Sequence, residues 1–186
     1  FVLASAAGAT IGAGPEAQRT GAPSPPVLAR MWDAEHVSSP VSPLVDHAEV
    51  KSRIQTIAAS GGGVVRVREV GRSLEGREVW DVTFGTGPLV VLMWSQMHGD
   101  EPTATSALFD IYEYIRLHDT EPAVQQLLSA LTVHTVPMLN PDGSERFQRR
   151  NVQSIDVNRD ALLLQTPEGR LLKSLRDELN PAVGFN

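Results

Sequence analysis

The sequence of 186 residues carries 22 acidic and 16 basic side chains, a formal net charge of −6, and this balance argues against nucleic acid as a partner. Its hydrophobic content of 41% and charged content of 20% are those of an ordinary soluble globular protein, and the length predicts one domain rather than two. Because cysteine is absent, disulfides and thiolate metal sites are excluded, and any metal ion would be bound through nitrogen and oxygen.

Residues 1–45 are predicted to form a leader and linker. The run Phe1–Thr10 is apolar and then rich in small residues, like the end of a secretory signal peptide, and it predicts a secreted or periplasmic protein. A disordered Ala/Gly arm is the alternative. The run is too short to span a bilayer, so no membrane span is expected. Between Gly12 and Pro43, six prolines among Ala, Gly and Ser disfavour helices and strands.

The folded domain is predicted over residues 46–186. In chain order, the patterns predict a helix from Asp46 to Ala59, strands over 64–70 and 77–84 joined by a turn at 71–76, a fully apolar strand over 89–94, a helix from Pro102 to about His118, a short helix over 123–129, a strand over 131–137, a turn at 140–143 and a helix from Thr166 to about Leu179. The apolar repeat of the second long helix comprises Ala107, Leu108, Ile111, Tyr114 and Ile115.

This alternation of strands and helices predicts an α/β fold with a mixed central sheet flanked by helices. In such folds, ligand sites lie at the carboxyl ends of the central strands.

His98 and Glu101 follow the apolar strand directly and are three residues apart. An imidazole and a carboxylate at this spacing, on a turn that enters a helix, can bind one zinc ion, and Gly99 lets the backbone bend without a Cβ clash. Such pairs also arise by chance, as a surface His and a Glu that favours the helix dipole. A second polar cluster about 40 residues on, Asn140–Gly143 through Asp156–Asp160, favours the metal interpretation and indicates a zinc peptidase.

Five segments carry a family resemblance, namely Gly71–Arg77, Gln96–Glu101, Asn140–Gly143, Arg149 and Asn158–Arg159. In this order they resemble motifs of the zinc metallocarboxypeptidases, the carboxypeptidase A-like family, in its bacterial branch. The resemblance covers roughly residues 46 to 186 and matches the N-terminal portion of the catalytic domain.

The resemblance implies Zn²⁺ as the cofactor, with His98 and Glu101 as two of its ligands. Asp156 would accept a hydrogen bond from the free ring nitrogen of His98 and fix its tautomer. In the family, the third zinc ligand, a His, and the general-base Glu come later than the position of Asn186. The chain is therefore expected to be a truncated portion that holds zinc weakly and is inactive alone.

The resemblance also implies a substrate site. Arg149 would polarise the scissile carbonyl and stabilise the oxyanion, while Asn158 and Arg159 would bind the terminal carboxylate of a peptide or muropeptide. The implied reaction is hydrolysis of a peptide bond next to a free C-terminal carboxylate. Alternatives are a murein-peptide amidase, an N-acyl amino acid deacylase and a non-catalytic module that binds peptide termini. Asp100, where animal relatives often have Arg or Asn, leaves the specificity open.

Overall fold

The computed structural model describes residues 24–35, 44–60 and 63–186. The chain divides into two compact units, Phe1–Glu35 and His36–Asn186. The described part of the first unit is a helix, α1 (Pro25–Glu35). The possible signal-peptide remnant, Phe1–Thr10, lies outside the described residues.

Helix α1 corrects the prediction that this proline-rich stretch resists helix formation. Pro25 and Pro26 occupy its first turn, where the missing backbone N–H costs nothing and the fixed φ suits a helix. The residues that follow, 27–35, contain no proline. The position of a proline within a segment, and not its number alone, therefore decides whether a helix forms.

The second unit is an α/β fold with a mixed central sheet flanked by helices, as predicted. Its strands are β1 (Val65–Arg72), β2 (Glu78–Gly85), β3 (Leu89–Trp94), β4 (Leu131–Val136) and β5 (Val183–Phe185), in the spatial order β1-β2-β4-β3-β5. Its helices are α2 (His47–Ala59), α3 (Thr103–Leu117), α4 (Pro122–Ala130), α5 (Pro141–Glu145) and α6 (Pro167–Leu179), with a single 3₁₀ turn at Val157–Arg159. Strands β1, β2 and β4 pair antiparallel, and β4, β3 and β5 pair parallel. Within the described ranges, no helix has the length and apolar character needed to cross a membrane.

Strand β3 is an interior strand of this sheet, as its apolar sequence predicted. Val91 and Leu92 are consecutive residues of β3, so their side chains point to opposite faces of the sheet, and they are 8% and 2% exposed. Val91 belongs to the larger core cluster with residues of α2, α3 and α4, such as Leu108, whereas Leu92 belongs to a smaller cluster with Leu175 of α6. The sheet therefore has a hydrophobic core on each side.

Helix α3 has nearly the predicted bounds, and Leu108 and Ile115 of the predicted apolar repeat are buried as expected. Ala107 and Ile111 of the predicted apolar repeat are exposed, whereas Phe109 and Tyr112 are buried. The Tyr112 hydroxyl lies 2.5 Å from Oγ1 of Thr135 on β4, so its polar end has a partner inside the core. That partner makes Tyr112 a suitable core residue, although the predicted apolar repeat did not include it.

The chain segments that follow β3 and β4 stay side by side beyond the sheet. The N–H of Ser95 donates to the carbonyl of Val136, and the N–H of Leu139 donates back to the carbonyl of Ser95. One residue further on, the N–H of Asn140 donates to the carbonyl of Gln96. This extended pairing brings the segment of His98 against the start of α5, at the carboxyl ends of two adjacent parallel strands.

Candidate metal centre

His98 lies in the turn after β3 with each ring nitrogen facing a carboxylate. Its Nδ1 is 3.0 Å from Oε2 of Glu101, and its Nε2 is 3.2 Å from Oδ1 of Asp156. The turn is closed by a hydrogen bond from the N–H of Glu101 to the carbonyl of His98. His98 is only 6% exposed, so the ring orientation is fixed by these two partners and the surrounding protein.

Arg149 joins the two carboxylates from the other side. Its Nε donates to Oδ2 of Asp156 at 3.2 Å, and its Nη1 donates to Oε1 of Glu101 at 3.4 Å. His98, Glu101, Arg149 and Asp156 thus form a closed ring of contacts, which we call the four-residue cluster. With His98 neutral, two carboxylates face one guanidinium, and the net negative charge favours a cation.

Asp156 is held as a carboxylate in this cluster. Burial acts to raise the pKa of its carboxyl, but hydrogen bonds from the Asn158 N–H, from His98 and from Arg149 outweigh burial and hold the pKa below its ordinary value. An ionised Asp156 is an acceptor on both oxygens. A neutral His98 that donates from Nε2 to Asp156 has its unprotonated Nδ1 on the side of Glu101.

Asn158 and Arg159 follow Asp156 in the 3₁₀ turn, and both are exposed. The turn is fixed from Asp156, whose Oδ1 accepts from the N–H of Asn158 and whose carbonyl accepts from the N–H of Arg159. The Arg159 guanidinium donates to the carbonyl of Asn158 at 3.3 Å. In the part of the chain that the structure describes, that guanidinium makes no contact with the four-residue cluster, so Arg159 lies outside the cluster.

A second His-x-x-Glu pair shows what distinguishes this site. His118 and Glu121 have the same spacing, and Nδ1 of His118 lies 2.7 Å from Oε1 of Glu121. This pair lies at the end of α3, and His118 stacks on Tyr114. No second carboxylate faces the His118 ring among the described residues. The local motif is therefore the same in both places, and Asp156 makes the difference.

Gly99 is required by a close approach of two backbone segments. A Cβ at this position would lie 2.1 Å from the carbonyl carbon of Gly143 and 2.2 Å from the nitrogen of Ser144. The predicted reason, a bend in the backbone, is thus secondary to contact with α5. Gln96 secures the same contact, because its Nε2 donates to the carbonyl of Gly99 and to the Ser144 hydroxyl.

Asp142 was not identified as a site residue from the sequence, yet it links two of the motifs. Its carboxylate, with 0% exposure, accepts from the Ser73 hydroxyl at 2.7 Å, from the N–H of Glu75 at 3.0 Å and from Nη1 of Arg77 at 2.6 Å. The predicted turn at 140–143 is in fact the start of α5, capped by the side chain of Asn140. The motif Gly71–Arg77 between β1 and β2 and the motif Asn140–Gly143 at the start of α5 are therefore joined through one carboxylate.

The family model for zinc carboxypeptidase matches residues 50–166, more than half of the chain. The chain belongs to the zinc carboxypeptidase family. This match and the mixed sheet agree with the resemblance found in the sequence.

The curated relatives of this chain are much longer than the part that aligns with it. Carboxypeptidase M of Mus musculus is 25% identical over 124 residues, which are 58% of this chain and 28% of that protein. Carboxypeptidase D of Homo sapiens is 30% identical over 99 residues, 49% of this chain and 7% of that protein. The chain thus spans less than a third of the length of these curated relatives.

Solved structures share the fold. A metallo-carboxypeptidase from Burkholderia cenocepacia aligns with a TM-score of 0.65 at 22% identity, over 74% of this chain and 39% of that one. Carboxypeptidase A from Helicoverpa armigera aligns with a TM-score of 0.60 at 20% identity, over 83% of this chain and 49% of that one.

The donors in this zinc carboxypeptidase chain fit part of a zinc site. His98 and Glu101 offer an imidazole nitrogen and a carboxylate oxygen, both usual zinc donors. Within the described ranges, no three His, Asp or Glu side chains are grouped so that they could hold a metal ion. Other described histidines have partners elsewhere, and His134, for example, lies 2.8 Å from Asp81 across the sheet, as a sheet-face residue. His98 and Glu101 therefore fit two positions of a zinc site.

Proposed function

We propose that this chain supplies one part of a metallocarboxypeptidase active site, in which His98 and Glu101 hold zinc. The observation that carries the proposal is the orientation of the His98 ring, with Nε2 on Asp156 and Nδ1 beside Glu101. When the neutral ring donates from Nε2 to Asp156, its Nδ1 is unprotonated, lies beside Glu101 and can bind a metal ion there. We assign the catalytic portion to residues 46–186.

Zinc bound there would supply a Lewis acid and a polarised water for amide hydrolysis. The contribution of the chain itself is to bind and orient the substrate. Arg149 uses Nε and Nη1 to hold Asp156 and Glu101, and in the described part of the chain no partner is found for its Nη2. We assign Nη2 to the carbonyl oxygen of the scissile bond, where a fixed cation stabilises developing negative charge.

Asn158 and Arg159 are assigned to the free carboxylate of the substrate. Both side chains are exposed, and their backbone is held by Asp156, so the carboxylate site and the metal site share one support. A guanidinium can bind a carboxylate through two parallel hydrogen bonds and keeps its charge at any working pH. The expected substrate is therefore a peptide with a free C-terminus.

Within the 186 residues, two donors rather than three are assigned to the metal. We expect weak zinc binding and no measurable hydrolysis by this chain alone, because a catalytic zinc site ordinarily has three protein ligands. Tight zinc binding together with peptide turnover by the purified chain would contradict this expectation.

Recognition of the carboxylate can be tested without turnover. An N-blocked dipeptide with a free carboxylate is titrated into the labelled chain and compared with its C-terminal amide by NMR. We expect shifts at Asn158 and Arg159 with the acid only, and a loss of those shifts in Arg159→Ala. Arg150→Ala is the matched control, since Arg150 donates to the carbonyl of Ser154 in the same loop. Equal binding of acid and amide, or an equal effect of both variants, would contradict the assignment.

A further inference from the structure

The loop between Arg149 and Asp156 is folded around the side chain of Asn151, which has 0% exposure. Its Oδ1 accepts from the N–H of Gln153 at 3.0 Å and from the N–H of Ile155 at 3.1 Å. Its backbone N–H donates to the carbonyl of Ile155 at 3.1 Å. Asn151 therefore sets the path of the chain between the two functional side chains.

The amide group of Asn151 is held in turn by Glu168, at the start of α6. Nδ2 of Asn151 donates to Oε2 of Glu168 at 3.1 Å, and Glu168 is 1% exposed. The first turn of α6 is fixed independently, because Asp160 accepts from both the N–H and the hydroxyl of Thr166 at the helix N-cap. The loop is thus attached to a helix whose own start is well anchored.

Glu168 is an unusual residue for a purely structural contact. Its Oε1 is buried, and no hydrogen-bond partner for it is found among the described residues. Burial raises the pKa of this carboxyl despite the hydrogen bonds that it receives. A buried polar atom without a partner costs stability, and an apolar side chain of similar size would avoid that cost. The hydrogen bond that Glu168 accepts from Asn151 offsets part of this cost.

We propose that Glu168 and Asn151 are positioning residues for the active site. Glu168 orients the amide of Asn151, Asn151 fixes the loop, and the loop sets the separation of Arg149 and Asp156 and so the orientation of the His98 ring. The part of this inference that concerns zinc rests on the function proposed above. The part that concerns the loop stands on the contacts alone.

The test uses the full 186-residue chain in four variants. Glu168→Leu removes the acceptor, and Asn151→Asp keeps an oxygen for the two loop amides but cannot donate to Glu168. Glu168→Gln keeps an acceptor and serves as the conservative variant. Arg170→Ala is the matched control, because it removes the side chain that donates to the carbonyls of Leu164 and Gln165 at the same helix start and, among the described residues, makes no hydrogen bond to Asn151 or Glu168.

Two readouts separate positioning from general stability. The first is amide hydrogen exchange at Ile155 and Asn158, compared with Val133 in β4. The second is Zn²⁺ titration followed on the ring signal of His98. Glu168→Leu and Asn151→Asp are expected to speed loop exchange about tenfold or more with little change at Val133, as for the loss of one buried hydrogen bond. They are also expected to weaken zinc binding by about tenfold, the lower end for outer partners of a metal ligand.

Each outcome decides a point. The proposal is supported if the loop of Glu168→Gln and of Arg170→Ala exchanges as in wild type, while Glu168→Leu and Asn151→Asp show the expected losses. If Glu168→Leu and Asn151→Asp alter exchange only as much as Arg170→Ala does, the residues are structural and the proposal is overturned. If Glu168→Leu does not fold, Asn151→Asp decides alone. If wild type shows no zinc effect at His98, the proposed function fails, while the exchange data still decide the positioning of the loop.

Discussion

The carboxylate of Asp156 lies 3.2 Å from Nε2 of His98, although 58 residues separate them in the chain. This contact distinguishes His98 from a surface histidine beside a helix, because it fixes the ring and leaves Nδ1 beside Glu101. Since Asp156 also accepts from Arg149 and from the N–H of Asn158, one half-buried carboxylate contacts both the proposed metal ligand and the proposed substrate residues.

Replacement of Asp156 tests this role. Asp156→Ala is expected to weaken zinc binding at His98 by 10- to 100-fold, the usual loss when the partner of a ligating histidine is removed. The measurement is a Zn²⁺ titration followed on the His98 ring. The exposed Asp177, paired with Lys173 and Arg176 on α6, provides the control variant Asp177→Ala. An equal effect of both changes would show that Asp156 does not orient the ring.

A methyl group at Gly99 tests the contact between the metal turn and α5. Gly99→Ala is expected to destabilise the domain by about 3 kcal/mol or more, because the added Cβ would overlap backbone atoms of Gly143 and Ser144 that cannot rotate away. Urea unfolding measures the change. Gly63→Ala is the control, since no atom lies within 4 Å of its added Cβ, and its cost should stay within about 0.5 kcal/mol. Similar values for both variants would contradict the close approach.

Asp142 is predicted to be the main link between the β1–β2 hairpin and α5. Asp142→Ala leaves the Ser73 hydroxyl and Arg77 without their buried acceptor and is expected to cost about 3–5 kcal/mol of unfolding free energy. The comparison is Glu178→Ala, which breaks an exposed pair with Arg68 and should cost less than about 1 kcal/mol. Thermal and urea unfolding give both values, and an Asp142→Ala variant as stable as wild type would show that the network contributes little.

Glu168 gives stability a defined pH dependence. Burial raises the pKa of its carboxyl above the ordinary value of 4.5, so the folded state binds this proton more tightly than the unfolded state does. The unfolding free energy therefore decreases as pH rises from about 4.5 to the raised pKa, by about 1.4 kcal/mol for each pH unit that separates the two values. Glu168→Gln should lack this decrease. Parallel stability profiles for the two proteins above pH 4.5 would contradict it.

The sequence was informative where a pattern is local or has a strong period. The apolar run of β3, the proline at the start of α3 and the Asp46 cap of α2 each have a local physical cause, and each element lies where it was predicted. The three-residue strand β5 is too short and too exposed to carry such a pattern, and it was not predicted.

The sequence was less informative where the role of a residue depends on partners that are distant in the chain. Local spacing cannot separate His98 from His118, because both have a Glu three residues later, and the distinction depends on Asp156 across the fold. Asp142 and Glu168 look like an ordinary turn residue and an ordinary residue at a helix start. Their burial follows from tertiary contacts 65 to 69 residues away for Asp142 and 17 residues away for Glu168.

The central claim is that His98 and Glu101 together seat a zinc ion, and the two His-x-x-Glu pairs of this chain allow a direct test of it. The measurement is a Zn²⁺ titration of the labelled chain by NMR, with His98→Ala, Glu101→Ala, His118→Ala and Glu121→Ala as variants. We predict a weak, saturable shift of the His98 ring that Glu101→Ala abolishes and that the two variants at 118 and 121 leave unchanged. A His98 ring that does not respond to zinc, or a response that persists in Glu101→Ala, would contradict the account.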